Sequence, residues 1–514
     1  MKETNPKRPR RPLRRPPDAR KLNNILFRSY LKKAFLIVCL FLCPVLLPAQ
    51  EWTFDGPTQK AYNLVLNLQI AEAQALIEQP ETVHEHYVMA LAEALELLIT
   101  EDGARYSEYE DRFEARLDRK TRLNTPEDLF LQAEIGLQWA FVHLKFGHEF
   151  DAALNLRQAY RTTQEVKKRF PKFRAINKTA GLLDVIIGSV PEKYDWVLGL
   201  LNMEGSVTLG LEALESIRQS DHTLAFEADL LYALTQGFVL QQPETGLATV
   251  TERLRDNPAN RLALFLGASL AIKNSASAEA LKLLNTLEAQ SAGLPLEYAH
   301  YLKGEVYLHR GEYLNSISSF RWFINHYKGQ NYVKDAHYKI GLCYWLNGNT
   351  SDAQVLFRQA RVMGKESSEA DRYAARSLAE TELPHVKLTK ARYFTDGGYL
   401  AEASVLLAAI TPAELPTKRD AVEFAYRNAR VSHKLQDVKK ASEYYQETIR
   451  LNGTEQWYFA PNACLQLGYL ALEGNDRQAA TLHFKKALEY KKHEYKNSID
   501  SKAKSALAQL NKRR

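Results

Sequence analysis

A pattern of small and aromatic residues recurs at fixed offsets from the middle of the chain to its end. In Tyr301–Phe320, Gly304 is followed by Tyr307, Gly311, Tyr313, Ser316 and Phe320. In Tyr338–Phe357 the same offsets carry Gly341, Tyr344, Gly348, Ala353 and Phe357, and Leu465–Phe484 keeps Gly468, Ala480 and Phe484. Two small residues twelve apart, with an aromatic four further on, let two antiparallel helices touch at their backbones. A fixed period of such hairpins predicts a solenoid, in which each unit packs on its neighbours. A chain of 514 residues needs no single large core if it is built this way.

The small residue of each first helix serves as a ruler. Anchors at Ala140, Leu234, Ala268, Gly304, Gly341, Ala391, Ala429 and Gly468 have partners at Ala152, Gly246, Ala280, Ser316, Ala353, Ala403, Ala441 and Ala480. Successive steps from Leu234 are 34, 36, 37, 50, 38 and 39 residues, and the long step leaves room for an extra helix near 367–381. Almost every other segment after residue 56 has apolar residues at three- and four-residue spacing, and none alternates as a strand does. The expected helices before the array are Gln59–Gln79, Val83–Thr100, Tyr106–Arg119, Pro126–Phe146 and Asp151–Arg169. Thr125, before Pro126 and three residues from Asp128, reads as an N-cap. Gly181, Gly188, Gly199, Gly205 and Gly210, with Pro191, suggest two closely packed helices over 175–217.

These offsets resemble the tetratricopeptide repeat, most clearly over 298–360 and 421–490. The Trp and Leu usually ahead of the glycine are mostly missing, and the steps exceed the family period. The resemblance implies an all-α fold, a right-handed α-solenoid of antiparallel helix hairpins. The expected organisation is a leader over 1–50, degenerate helical repeats over 51–220 and the array over 221–514. The earlier part, around Phe170–Leu214, is also similar to the helical region of TTC39-type proteins. In tetratricopeptide arrays one stripe of the first helix lines a concave groove. Its positions here include Tyr298, Tyr301, Tyr338, Trp345, Tyr426, Arg430 and Tyr469. Tyr, Trp and Arg are the residues that dominate interfaces, although an aromatic stripe also packs one repeat on the next. The Lys and Asn clamp that some members use for a terminal carboxylate is missing, so an apolar or aromatic-rich peptide fits the stripe better.

The net charge of +7 belongs to the start of the chain. Residues 1–33 hold twelve basic and two acidic side chains, whereas the other 481 carry 56 basic and 59 acidic ones. A near-neutral body leads to the expectation of no nucleic-acid partner. The basic stretch, the apolar run Ala34–Ala49 and a small-residue exit have the layout of a secretory signal. LPAQ-E resembles export signals of the Bacteroidota. The run of about 16 residues containing Pro44 is short for a membrane span, which needs about 20. Cleavage near Gln50, or retention as a signal-anchor, are the two readings. They place the body in the periplasm or outer-membrane periphery, or on the inner membrane through that segment alone. Oligomeric state is open.

Catalytic and metal motifs are missing: the chain has no phosphate loop, HExxH, paired CxxC, EF-hand or GxSxG. His84 and His86 are two apart on a helix, and His143 and His148 flank the turn at Gly147. No catalytic, cofactor-binding or metal-binding residue is expected from either pair. Cys343 and Cys464 lie in different repeats and read as buried thiols. The chain is thus expected to be a non-catalytic scaffold of a bacterial cell envelope, with a protein or peptide partner. Its rivals are a membrane-anchored assembly factor and an enzyme with a site in 175–217.

Overall fold

The computed structural model describes residues 51–118, 125–190, 202–380 and 382–512. The leader over 1–50 and the junction with Pro191 and Gly199 lie outside them. Among the described residues there are 24 helices and no strand, so the all-α solenoid of helix hairpins expected above holds. The first part runs α1 Gly56–Leu66, α2 Ile70–Leu76, α3 Val83–Thr100, α4 Gly103–Asp118, α5 Pro126–Phe146, α6 Glu149–Arg169, α7 Ile176–Gly188 and α8 Val207–Arg218. Next come α9 Ala225–Leu234, α10 Pro243–Asp256, α11 Arg261–Lys273, α12 Ser277–Glu288, α13 Glu297–His309, α14 Tyr313–His326, α15 Val333–Leu346 and α16 Thr350–Val362. The last are α17 Glu369–Ala379, α18 Val386–Gly397, α19 Leu400–Ala408, α20 Lys418–Lys434, α21 Val438–Asn452, α22 Phe459–Glu473, α23 Arg477–Glu489 and α24 Lys496–Lys512.

Local chemistry starts several of these helices. Thr82 and Glu85 form a reciprocal capping box at α3, as do Ser368 and Asp371 at α17 and Thr417 and Asp420 at α20. Thr125 caps α5 through the Asp128 amide. The repeat pattern then sets the hairpins. A Cβ on Gly304 would lie 2.6 Å from the Phe320 ring, on Gly341 2.9 Å from Phe357, and on Gly468 2.4 Å from Phe484. Ser316, twelve residues after Gly304, donates its hydroxyl to the Gly304 carbonyl at 2.8 Å. Each aromatic therefore fills the space that the missing side chain leaves, and only glycine permits that approach. Both Cys343 and Cys464 are fully buried as free thiols.

Two local expectations need correction. The single helix Gln59–Gln79 is instead α1 and α2, broken at Asn67–Gln69. Leu68 adopts φ 58°, and its carbonyl accepts from the Leu294 amide at 2.7 Å. Asn67 also accepts from the Arg261 amide, and Asn260 donates to the Leu66 carbonyl. Contacts with distant residues thus outweigh the helical periodicity. The anchor assigned to Leu234 is also displaced, since Leu234 is 39% exposed. The partner glycine, Gly246, packs against the Ala233 carbonyl and the Gly237 amide instead. The cause is a π-turn over Thr235–Val239, which shifts the register of everything after Leu234.

The superhelix closes on itself. Glu101, at the end of α3, accepts from Tyr327 at 2.5 Å and Asn331 at 2.7 Å, while Asp102 pairs with Lys328 at 2.7 Å. Ser275, after α11, meets Gly398 and takes a hydrogen bond from Lys434 at 2.9 Å. Trp52 is 1% exposed, held against Tyr87, Phe130 and Phe173. The first helices and the array are therefore one body, and the space between them is partly open to solvent.

Candidate ligand-binding cavity

A cavity of about 680 Å³ lies between α3, α5, α7 and α9 on one side and α11, α13 and α15 on the other. Its wall is mostly aliphatic, with Leu91, Leu98, Leu182, Leu230, Phe265 and Leu302 among the lining residues. These helices carry apolar residues on more than one face, because one face packs on a neighbour and another lines the space. The rim is apolar too. Phe141, Leu234 and Phe238 line the cavity, and they are 36%, 39% and 44% exposed. The π-turn sits at this rim and carries Phe238.

Two buried lysines stand deep in the wall. The Lys178 ammonium donates to Glu134 at 2.6 Å, to Glu227 at 2.8 Å and to the Tyr87 hydroxyl at 2.9 Å. Thr179 adds a hydrogen bond to Glu134, and Tyr87 another to Glu227. Burial pulls the Lys178 ammonium down, but the Glu134 and Glu227 charges outweigh it and hold it above its usual value. Burial pushes the Glu134 carboxyl up, against the Lys178 attraction, and Glu227 adds to the rise. Lys339 repeats the arrangement, with Glu305 at 2.5 Å, Asp335 at 2.6 Å and the Tyr301 hydroxyl at 3.0 Å. Here too the two carboxylates outweigh burial and raise the ammonium, while burial pushes Asp335 up to about 6. Each cluster carries two carboxyl groups to one lysine.

The residues expected to form a groove divide between wall and packing. Tyr298 and Tyr301 line the cavity, their rings 5.1 Å apart, and Tyr301 donates to Asp335 at 2.6 Å. Tyr338 is buried against Phe357, and Tyr426 is buried beside Tyr445 and Phe459. Trp345 donates its indole N–H to the Pro384 carbonyl at 2.9 Å, and Tyr469 packs on Phe484. Arg430 bonds to the Tyr445 hydroxyl. Next to it, burial first and then Arg430 and Lys434 pull the His433 imidazole down to about 4. That value lies below the unfolded one near 6.5, so the stabilisation is full above pH 6.5 and is lost as pH falls toward 4. His433→Gln is expected to make this limb of a plot of melting temperature against pH shallower, with His222, which burial also pulls down to about 4, sustaining the rest.

The sequence reading passed over Glu134, Lys178, Glu227, Phe238 and Lys273. A signal existed, because Glu134 interrupts the apolar run Leu129–Val142, and Lys178 is one of only two charges, with Asp184, in the otherwise uncharged α7. In the glycine-rich segment, Lys178 and Thr179 meet the carboxylates of Glu134 and Glu227, while Gly181 and Gly210 press their backbones together. A Cβ on Gly210 would lie 2.5 Å from the Gly181 carbonyl oxygen. At the Gly147 turn the structure brings ligand atoms of His143, His148 and Asp151 within 4.8 Å of one another, and the latter two are exposed. His143 Nδ1 is already bonded to the Tyr106 hydroxyl at 2.7 Å.

No family model and no curated protein sequence matches the chain. Among solved structures it is similar to a human IFIT1 dimer with m7Gppp-AAAA, at 14% identity and TM-score 0.33, covering 90% of this chain and 97% of that one. A monomeric IFIT1 mutant with Gppp-AAAA gives the same identity and TM-score over 90% and 96%. A human IFIT1 dimer with PPP-AAAA is similar over 86% and 96%, at TM-score 0.31. The expectation of no nucleic acid is corrected here. The solved chains that this one resembles hold capped or triphosphate RNA. A likeness of this size assigns no ligand to this chain. Its own geometry shows an all-helical repeat protein closed around an apolar cavity.

Proposed function

We propose that the chain is a non-catalytic binding scaffold of a bacterial cell envelope, whose interior cavity takes an apolar ligand. One observation carries this reading: about 680 Å³ of mostly aliphatic space, opening through an exposed apolar rim. The volume lies within the roughly 300–1,000 Å³ of small-ligand sites. Walls drawn from so many helices leave no room for a folded partner, only for a thin chain or a few side chains. Catalysis is disfavoured by the same geometry. Lys178 and Lys339 are each held protonated by two carboxylates, so neither supplies a free amine. An apolar peptide segment is the second occupant, favoured by Tyr298 and Tyr301 on the wall.

Binding of the neutral fluorophore N-phenyl-1-naphthylamine tests the cavity. The unaltered protein is expected to bind it, and Ser269→Trp, which fills the space from α11, to weaken binding by about tenfold or more. Failure of the unaltered protein to bind sinks the reading. The envelope location rests on the leader and is tested by N-terminal sequencing of the mature protein. A start near Gln50 or Glu51 supports export with cleavage. Recovery of 34–49 supports the anchored alternative.

A further inference from the structure

We propose that the cavity ligand is an anionic amphiphile, with its aliphatic chain inside and its carboxylate or phosphate head held by Lys273, Arg430, Lys434 and Lys502. The inference rests on the cavity reading and adds the charge of the ligand and its direction of entry.

Lys273 joins the two parts of this site. It lines the cavity at the end of α11, and its ammonium lies 5.3 Å from the centre of the Phe238 ring at the rim. The other three cations arrive from α20 and α24, far along the chain, because the superhelix closes at this point. Lys434 donates to Ser275, two residues beyond Lys273, at 2.9 Å. A side chain on Gly398 would strike the Ser275 carbonyl, so the turn after α11 is clamped against the array. Lys502 lies close enough to Lys273 and Arg430 to feel both charges.

This cluster lacks matching anions. Among the described residues, none of the four cations forms an ion pair, whereas both lysines deep in the wall have two each. The carboxylates that reach the cluster are Asp396, which pairs with Arg392 at 3.5 Å, and Glu473, which is felt at Tyr445. Burial lowers the Lys273, Lys434 and Lys502 ammonium groups, and neighbouring cations lower the last two further. Half-buried cations that repel one another gain most from an incoming anion. The deep end, with two carboxyl groups per lysine, has the opposite character. A ligand with one anionic end and one aliphatic end therefore enters tail first and leaves its head at Lys273.

Titration calorimetry with palmitate, hexadecanol and inorganic phosphate tests this, with N-phenyl-1-naphthylamine reporting on the cavity itself. The unaltered protein is expected to prefer palmitate over the alcohol by about tenfold or more. That preference falls toward one in Lys273→Met and in Lys502→Met, and Lys273→Arg restores it. Equal binding of acid and alcohol overturns the head-group site while the cavity stands. Binding of phosphate with neither chain bound overturns the amphiphile in favour of a free anion. Loss of the neutral fluorophore as well as both chains overturns the cavity reading and this inference with it.

Discussion

Lys178→Met is expected to destabilise the body by about 3–5 kcal/mol, read from chemical or thermal unfolding. Glu134 and Glu227 are bonded to one ammonium deep in the protein, and Lys178 is 3% exposed. Methionine keeps the apolar stem but leaves two carboxylates facing each other without a counter-charge. The cost comes from that stranded charge and not from lost packing, so it is reversible by design. Adding Glu134→Gln and Glu227→Gln to Lys178→Met is expected to recover most of the loss. Replacing a whole buried ionic group is often close to neutral, whereas removing one partner is not. A triple variant as unstable as the single one would show that the lysine acts through packing instead.

Gly210→Val is expected to destabilise by about 3 kcal/mol or more, at the upper end of overpacking. The first atoms that a Cβ meets are the Gly181 carbonyl oxygen at 2.5 Å, the Val185 side chain at 2.8 Å and the Val185 amide nitrogen at 2.8 Å. Two of these are backbone, so no rotamer change relieves the clash, and α7 and α8 must separate. Because α7 also carries Lys178, the separation disturbs the cavity wall. Gly103→Ala is the control: nothing lies within 4 Å of the added carbon. A helical Gly→Ala without strain is worth roughly 0.5–1 kcal/mol in favour of folding. Equal loss in both variants would place the effect outside the α7–α8 contact.

Legibility divides by sequence separation. The hairpins were readable because their contacts are local: Gly304 meets Phe320 and Ser316, and Gly468 meets Phe484, at fixed short offsets. Helix ends such as Thr125 and Pro126 were readable for the same reason, since a cap needs only its next few residues. The break at Asn67–Gln69 was not, because its partners, Asn260, Arg261 and Leu294, lie some two hundred residues away. Nor was the π-turn at Thr235–Val239, which shows no local breaker beyond Gly237.

Local spacing was enough for the class of structure: helices paired in hairpins and stacked by small residues opposite aromatic ones. Periodicity encodes such neighbour contacts directly. Tertiary structure alone decided where a ligand fits. Lys178 reaches Glu134 across 44 residues and Glu227 across 49, and Lys434 reaches Ser275 across 159. No spacing rule links such residues. Their meeting depends on the summed small rotations of the stacked helices, which bring distant helices together as the walls of an apolar cavity.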